Sequence, residues 1–148
     1  MNPRRKTPPP ALSRSEFVVN TISEWFVEAA NHCCGSFPYG HDEMALSGLT
    51  PAPSVKVAPP RVAESALHLE CRLAHTYEVK NAAGAVSTTI VIGEVVMMHV
   101  ARGVAGASPS GKLVVDVGAY RPVSRLGGNT YGRTAGLFDL PRPDRAAG

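Results

Sequence analysis

The chain has 148 residues, enough for one domain with a core of useful size, and its 44% hydrophobic and 18% charged residues are those of a globular protein. A formal net charge of +3 is too small to suggest a nucleic-acid binder, and the Arg4-Arg5-Lys6 cluster is expected to be a solvated tail. Three cysteines, an odd count with Cys33 and Cys34 adjacent, argue against a disulfide framework; with no export signal and no apolar run of membrane-spanning length, they predict a cytoplasmic protein that meets neither nucleic acid nor membrane.

Residues 1–14 read as a basic, proline-rich tail, because Pro8-Pro9-Pro10 lacks three backbone donors and favours extended geometry. Glu16–Asn20 reads as a short strand. A helix is expected over Ile22–Cys34, with Thr21 and Glu24 at capping-box spacing, apolar residues at Ile22, Phe26, Ala29, Ala30 and Cys33, and Gly35 as its stop. An aromatic loop follows, Gly35 to Gly40, then a helical turn from Asp42 to Leu46 that ends at Gly48. Leu49–Arg61 holds four prolines and reads as an irregular crossing in which Val55 and Val57 could add an edge strand.

The chain is organised around two strand-like runs. In Leu67–Val79, Leu67, Leu69, Cys71, Leu73, Tyr77 and Val79 fall on one face and His68, Glu70, Arg72, Thr76 and Glu78 on the other, which predicts one buried and one wet face. Thr89–Val100 is apolar on both faces and β-branched, which predicts a strand deeper in a sheet. Asn81-Ala82-Ala83-Gly84 suits the turn between them, so residues 66–101 form a long antiparallel hairpin. Beyond it, Arg102–Lys112 is glycine-rich and expected to be mobile, and Leu113–Val117 to be a short strand. Past Leu140 a frayed tail, 141–148, is expected. Several strands without βαβ alternation indicate a mainly β fold with flanking helices, a small antiparallel barrel spanning 15–140.

Chemistry is sparse. His32, Cys33 and Cys34 lack the spacing of a zinc site, and no nucleophile elbow, P-loop or dinucleotide fingerprint is present. Glu70 and Glu94 could face each other across the hairpin, although a surface charge ladder with Arg72 and Lys80 is the simpler reading. Arg125-Leu126-Gly127-Gly128-Asn129-Thr130-Tyr131 is the best candidate site. Its paired glycines allow close approach of a ligand that Arg125 and Tyr131 could grip by charge and stacking, and the plain alternative is a helix C-cap with a turn.

The blocks Glu16–Asn20, Phe37–Glu43, Leu49-Thr50-Pro51, Pro60–Ser65 with Leu69–Arg72, Val91–Val95 and Arg125–Tyr131 occur in an order and wording that resembles the flavin reductase-like, FMN-binding split-barrel proteins. That resemblance covers about residues 15 to 140. It implies a homodimeric split β-barrel with FMN held non-covalently near the dimer interface. NAD(P)H would be the electron donor, and an oxygenase a candidate partner. It implies that Arg125, Gly127, Gly128 and Tyr131 lie near the flavin or nicotinamide, and that Thr7 is the remnant of a phosphate contact. Catalytic side chains are not expected, because the flavin ring itself carries the chemistry. Domains of that family begin with strands upstream of the Glu16–Asn20 block, so the resemblance also predicts a barrel lacking its first strands. A non-catalytic remnant that dimerises or binds a partner is the alternative.

Overall fold

The structure, a computed structural model, describes residues 15–38, 40–134 and 136–140. Thr7 and the two expected tails, 1–14 and 141–148, lie outside the described residues. The fold is mainly β with short helices, and every strand pairing is antiparallel.

Strand β1 (Glu16–Asn20) pairs with β4 (Leu67–Lys80), and β4 pairs with β5 (Val86–Val100), giving the sheet order β1-β4-β5. The central strand is therefore β4. The apolar run in β5 sits on the sheet's edge rather than in its depth, and Ile90, Val91, Ile92 and Val95 are exposed. The reason is length: β1 covers only His68 to Arg72 of β4, so the outer half of the hairpin is a two-stranded ribbon with no third strand among the described residues. Its turn is as expected. Asn81 Oδ1 accepts the Ala83 and Ala85 N–H groups, and Gly84 takes φ +77°. Gly93 is required for a different reason, since a Cβ there would lie 2.4 Å from Cζ of Phe17, whose ring lies across it.

The first helix is shorter than the periodicity suggested. A 3-10 turn at Glu24–Phe26 leads into α1 (Val27–His32), and no capping box forms. Thr21 is still in the sheet layer, where its hydroxyl donates to the Leu67 carbonyl, and Ser23 takes the N-cap position without capping. Helix α2 (Glu43–Leu46) does have its cap: Asp42 Oδ1 accepts from Met44 and Ala45 N–H. In the proline-rich crossing the strands are β2 (Pro51–Ala52) and β3 (Arg61–Val62), not Val55 and Val57. The glycine-rich stretch is ordered into a 3-10 turn at Arg102–Val104 and β6 (Ala105–Ala107), which pairs with β7 (Leu113–Val115). After α3 (Val117–Tyr120), β8 (Val123–Gly127) and β9 (Thr130–Arg133) form the last hairpin.

Two small cores hold these pieces together. Phe26, Leu49 and Val62 pack with Ile22, Ala29, Ala30, Cys33 and Met44, so the helices close over the β3 end. Ala66, Val104 and Tyr120 pack with Leu67, Val100 and Val115 at the base of the long hairpin. Each fully buried Phe, Leu or Val contributes about 1.5–3 kcal/mol by leaving water.

Candidate functional site

The β8–β9 hairpin brings Arg125, Gly127, Gly128 and Tyr131 together. Arg125 and Tyr131 are directly opposed across the ladder, so both side chains rise from one face. The segment is a strand turn, not a helix C-cap. Gly127 (φ +116°) and Gly128 (φ +53°) make the reversal, and an added Cβ at either would meet nothing within 4 Å. The glycines thus serve the backbone angles and leave open space above the turn.

Arg125 is held in one pose. Its Nη2 donates to the Gly128 carbonyl at 2.9 Å and its Nη1 to the Tyr131 hydroxyl at 3.0 Å, with the guanidinium carbon 5.4 Å from the ring centroid. Tyr131 passes its own proton on, donating to Asn31 Oδ1 at 2.7 Å, and Cys34 Sγ lies 3.6 Å from Arg125 Nη1. No carboxylate pairs with Arg125 among the described residues. A fixed, exposed cation beside bare backbone and an aromatic ring suits a flat group with anionic or carbonyl edges. At the foot of the hairpin, Glu24 accepts from Arg121, just before β8, at 2.5 Å and forms an ion pair with Arg133 of β9 at 3.3 Å. Asn31, Cys34 and Glu24 could not be drawn into this site from sequence, because they meet the hairpin only in three dimensions.

A second polar cluster overturns the expected wet face of β4. His68 and Glu70 are buried, Glu70 completely. The Glu70 carboxylate accepts the Val55 N–H at 2.8 Å, the Lys56 N–H at 2.6 Å and His99 Nε2–H at 2.6 Å. Burial pushes its pKa up, but the two backbone donors and His99 outweigh that and hold it down to about 2. His68 donates from Nε2 to the Val62 carbonyl and turns Nδ1 toward Arg61, while its burial holds its pKa below the usual histidine value. Arg61 grips the Pro53 carbonyl through Nε and Nη2. The cluster therefore clamps the proline-rich crossing onto the sheet. Glu94 does not face Glu70; it is exposed and lies opposite Arg72, whereas Glu70 lies opposite Met97. Cys71 is buried, as expected, and burial pushes its thiol pKa up. No cluster of His, Cys, Asp or Glu among the described residues could hold a metal ion.

Residues 1–124 match the family described as Flavin reductase like domain. The chain belongs to the flavin reductase-like family. Arg125 to Tyr131 lie just past the matched residues. Among relatives, the chain is 38% identical over 128 residues to the uncharacterized Halalkalibacterium halodurans protein BH2278, covering 86% of this chain and 59% of that one. It is 31% identical to the uncharacterized Bacillus subtilis protein YwrF, covering 90% and 63%. The chain thus spans about three-fifths of the length of these relatives. Among solved structures, nitrilotriacetate monooxygenase component B from Bacillus cereus superposes with a TM-score of 0.78 at 29% identity, over 88% of this chain and 62% of that one. Pseudomonas fluorescens 2-nitrobenzoate 2-nitroreductase NbaA gives 0.75 at 28% identity, over 93% and 65%. Flavoredoxin of Desulfovibrio vulgaris, at 21% identity over 91% of this chain and 69% of that one, shares the fold with a TM-score of 0.70. The flavin reductase-like chain therefore has the split-barrel fold. Among its described residues no helix is long and apolar enough to cross a membrane.

Proposed function

We propose that this flavin reductase-like chain binds FMN non-covalently and passes electrons from NAD(P)H through it, working as a homodimer in the cytoplasm. The observation that carries this reading is the Arg125–Gly128–Tyr131 arrangement: a cation without a carboxylate partner among the described residues, locked over an aromatic ring and beside open glycine backbone. Arg125 would hold an anionic or carbonyl edge of the flavin or of the dinucleotide, Gly127 and Gly128 would let that group approach the backbone, and Tyr131 would orient Arg125. Thr7 would add a phosphate contact. FMN, when bound, supplies the hydride-accepting and electron-carrying chemistry.

The homodimer is supported by the outer half of the long hairpin, where Tyr77, Ile90 and Ile92 expose half or more of their surface on a ribbon with no third strand among the described residues. A partner oxygenase is supported by the likeness to a monooxygenase component B. Titration with FMN, followed by flavin fluorescence with mass measured in parallel, tests the reading. Saturable, stoichiometric quenching by a dimer, followed by NADH- or NADPH-dependent flavin reduction, is the expected result. A chain that neither quenches nor retains flavin refutes it and leaves a non-catalytic, partner-binding role.

A further inference from the structure

The helical segment from Glu24 through His32 touches the β8–β9 hairpin at two points, about two turns apart along its length. At the first, the Glu24 carboxylate takes both Arg121 and Arg133. Arg121 is the one non-glycine residue with positive φ among the described residues (48°), and its carbonyl also accepts the Glu24 N–H. The start of the hairpin is thereby fixed by a strained residue that the ion pair and backbone bond hold in place. At the second, hydrogen bonds run in one direction: Arg125 donates to the Tyr131 hydroxyl, and that hydroxyl donates to Asn31 Oδ1. Because the phenol accepts from a guanidinium, its proton is free to go only to an acceptor, and Asn31 supplies it. The other arm of Arg125 ends on the Gly128 carbonyl, so Asn31 sits at the head of a relay that reaches the glycine turn.

We propose that Asn31 and Glu24 are positioning residues that set the pose of Arg125 and Tyr131 for ligand capture. This rests on the flavin-binding reading. Neither residue needs to touch ligand, since each acts through a hairpin side chain. Removing the Asn31 acceptor lets the phenol turn, and Arg125 loses the oxygen that fixes one of its arms.

Asn31→Ala, Tyr131→Phe and the double variant test the relay, with Ser87→Ala, an exposed site near the far turn, as control. In Asn31→Ala the FMN dissociation constant rises about tenfold, the size expected for one charge-assisted hydrogen bond, and the melting temperature stays within about 2 °C of wild type because the site is exposed. In the Tyr131→Phe background the same Asn31 change has no further effect, since the hydroxyl it acts through is gone. A flavin-free readout separates the two readings. Amide exchange over Val123–Arg133 accelerates in Asn31→Ala while that of Leu67–Arg72 does not, and Asn31→Asp, which keeps an acceptor, restores the slow rate. Unchanged exchange together with unchanged FMN affinity in Asn31→Ala overturns the positioning role even if wild type binds flavin well. Failure of wild type to bind FMN overturns the functional reading and the ligand side of this one, whatever the exchange rates show.

Discussion

Glu70 is the most exacting test of the physical account, because its one buried carboxylate moors the proline-rich crossing at both Val55 and Lys56. Glu70→Gln keeps the side chain's shape and removes its charge. The remaining oxygen, placed at Oε1, still accepts from Val55 and His99, whereas the new NH2 group is turned toward the Lys56 N–H, donor against donor. Hydrogen bonds to charged groups contribute about 1.5–3 kcal/mol each, and breaking a buried ionic arrangement by changing one partner costs about 3–5 kcal/mol. A loss of about 3–4 kcal/mol follows, or roughly 10 °C in melting temperature for a chain of this size. The pH dependence has a definite sign. The folded carboxyl is held at about 2 against an ordinary 4.5, so its contribution is complete above the ordinary value and is lost as pH falls toward about 2. Thermal melts of wild type and Glu70→Gln from pH 7 down to about 2 should therefore converge. Equal melting temperatures at pH 7, or a gap that does not narrow on acidification, would refute the reasoning.

Gly93→Ala places a methyl group against the Phe17 ring and should cost about 1–3 kcal/mol, much of it recovered by Phe17→Leu in the same chain, as denaturant titrations of the single and double variants would show. Tyr77→Lys with Ile90→Glu exchanges an apolar cross-strand pair for an oppositely charged one, which keeps the ladder paired and makes the exposed ribbon polar. Its solution mass should fall from dimer to monomer with little change in far-ultraviolet dichroism; an unchanged mass would remove the ribbon from the proposed dimer contact.

Local patterns carried well where local physics decides. The helical turn at Asp42–Leu46, the Asn81–Gly84 turn and the two long strands all follow from neighbouring residues, and the paired glycines at 127 and 128 signalled the positive φ that the β8–β9 turn uses. The failures share a cause. Alternation along β4 shows that its faces differ, but it cannot reveal that the Leu49–Arg61 crossing folds back over the polar face and buries His68 and Glu70. The signal lay in the pairing of His68 with His99 beside Glu70, but the register shifts at Val79/Lys80, Leu73/His75 and Glu70/Cys71 leave a net offset of one residue, so counting back from the turn does not reach it. The apolar run of β5 misled in the opposite direction, because composition reports what a surface needs and not which chain covers it. Asn31, a polar residue near a short helix's end, carried no signal until its partner was placed.

The uneven reach of β1 along β4 has a consequence for how the protein must be handled. The inner half of the hairpin has a third strand and a core beneath it, whereas an isolated two-stranded ribbon is at best marginally stable in water. If the outer half gains its missing contacts from another copy, its order is set by mass action. Dilution then loosens it before it touches the rest, and the melting temperature climbs with the logarithm of protein concentration. In that dimer, stability is a quantity to be quoted with a concentration beside it.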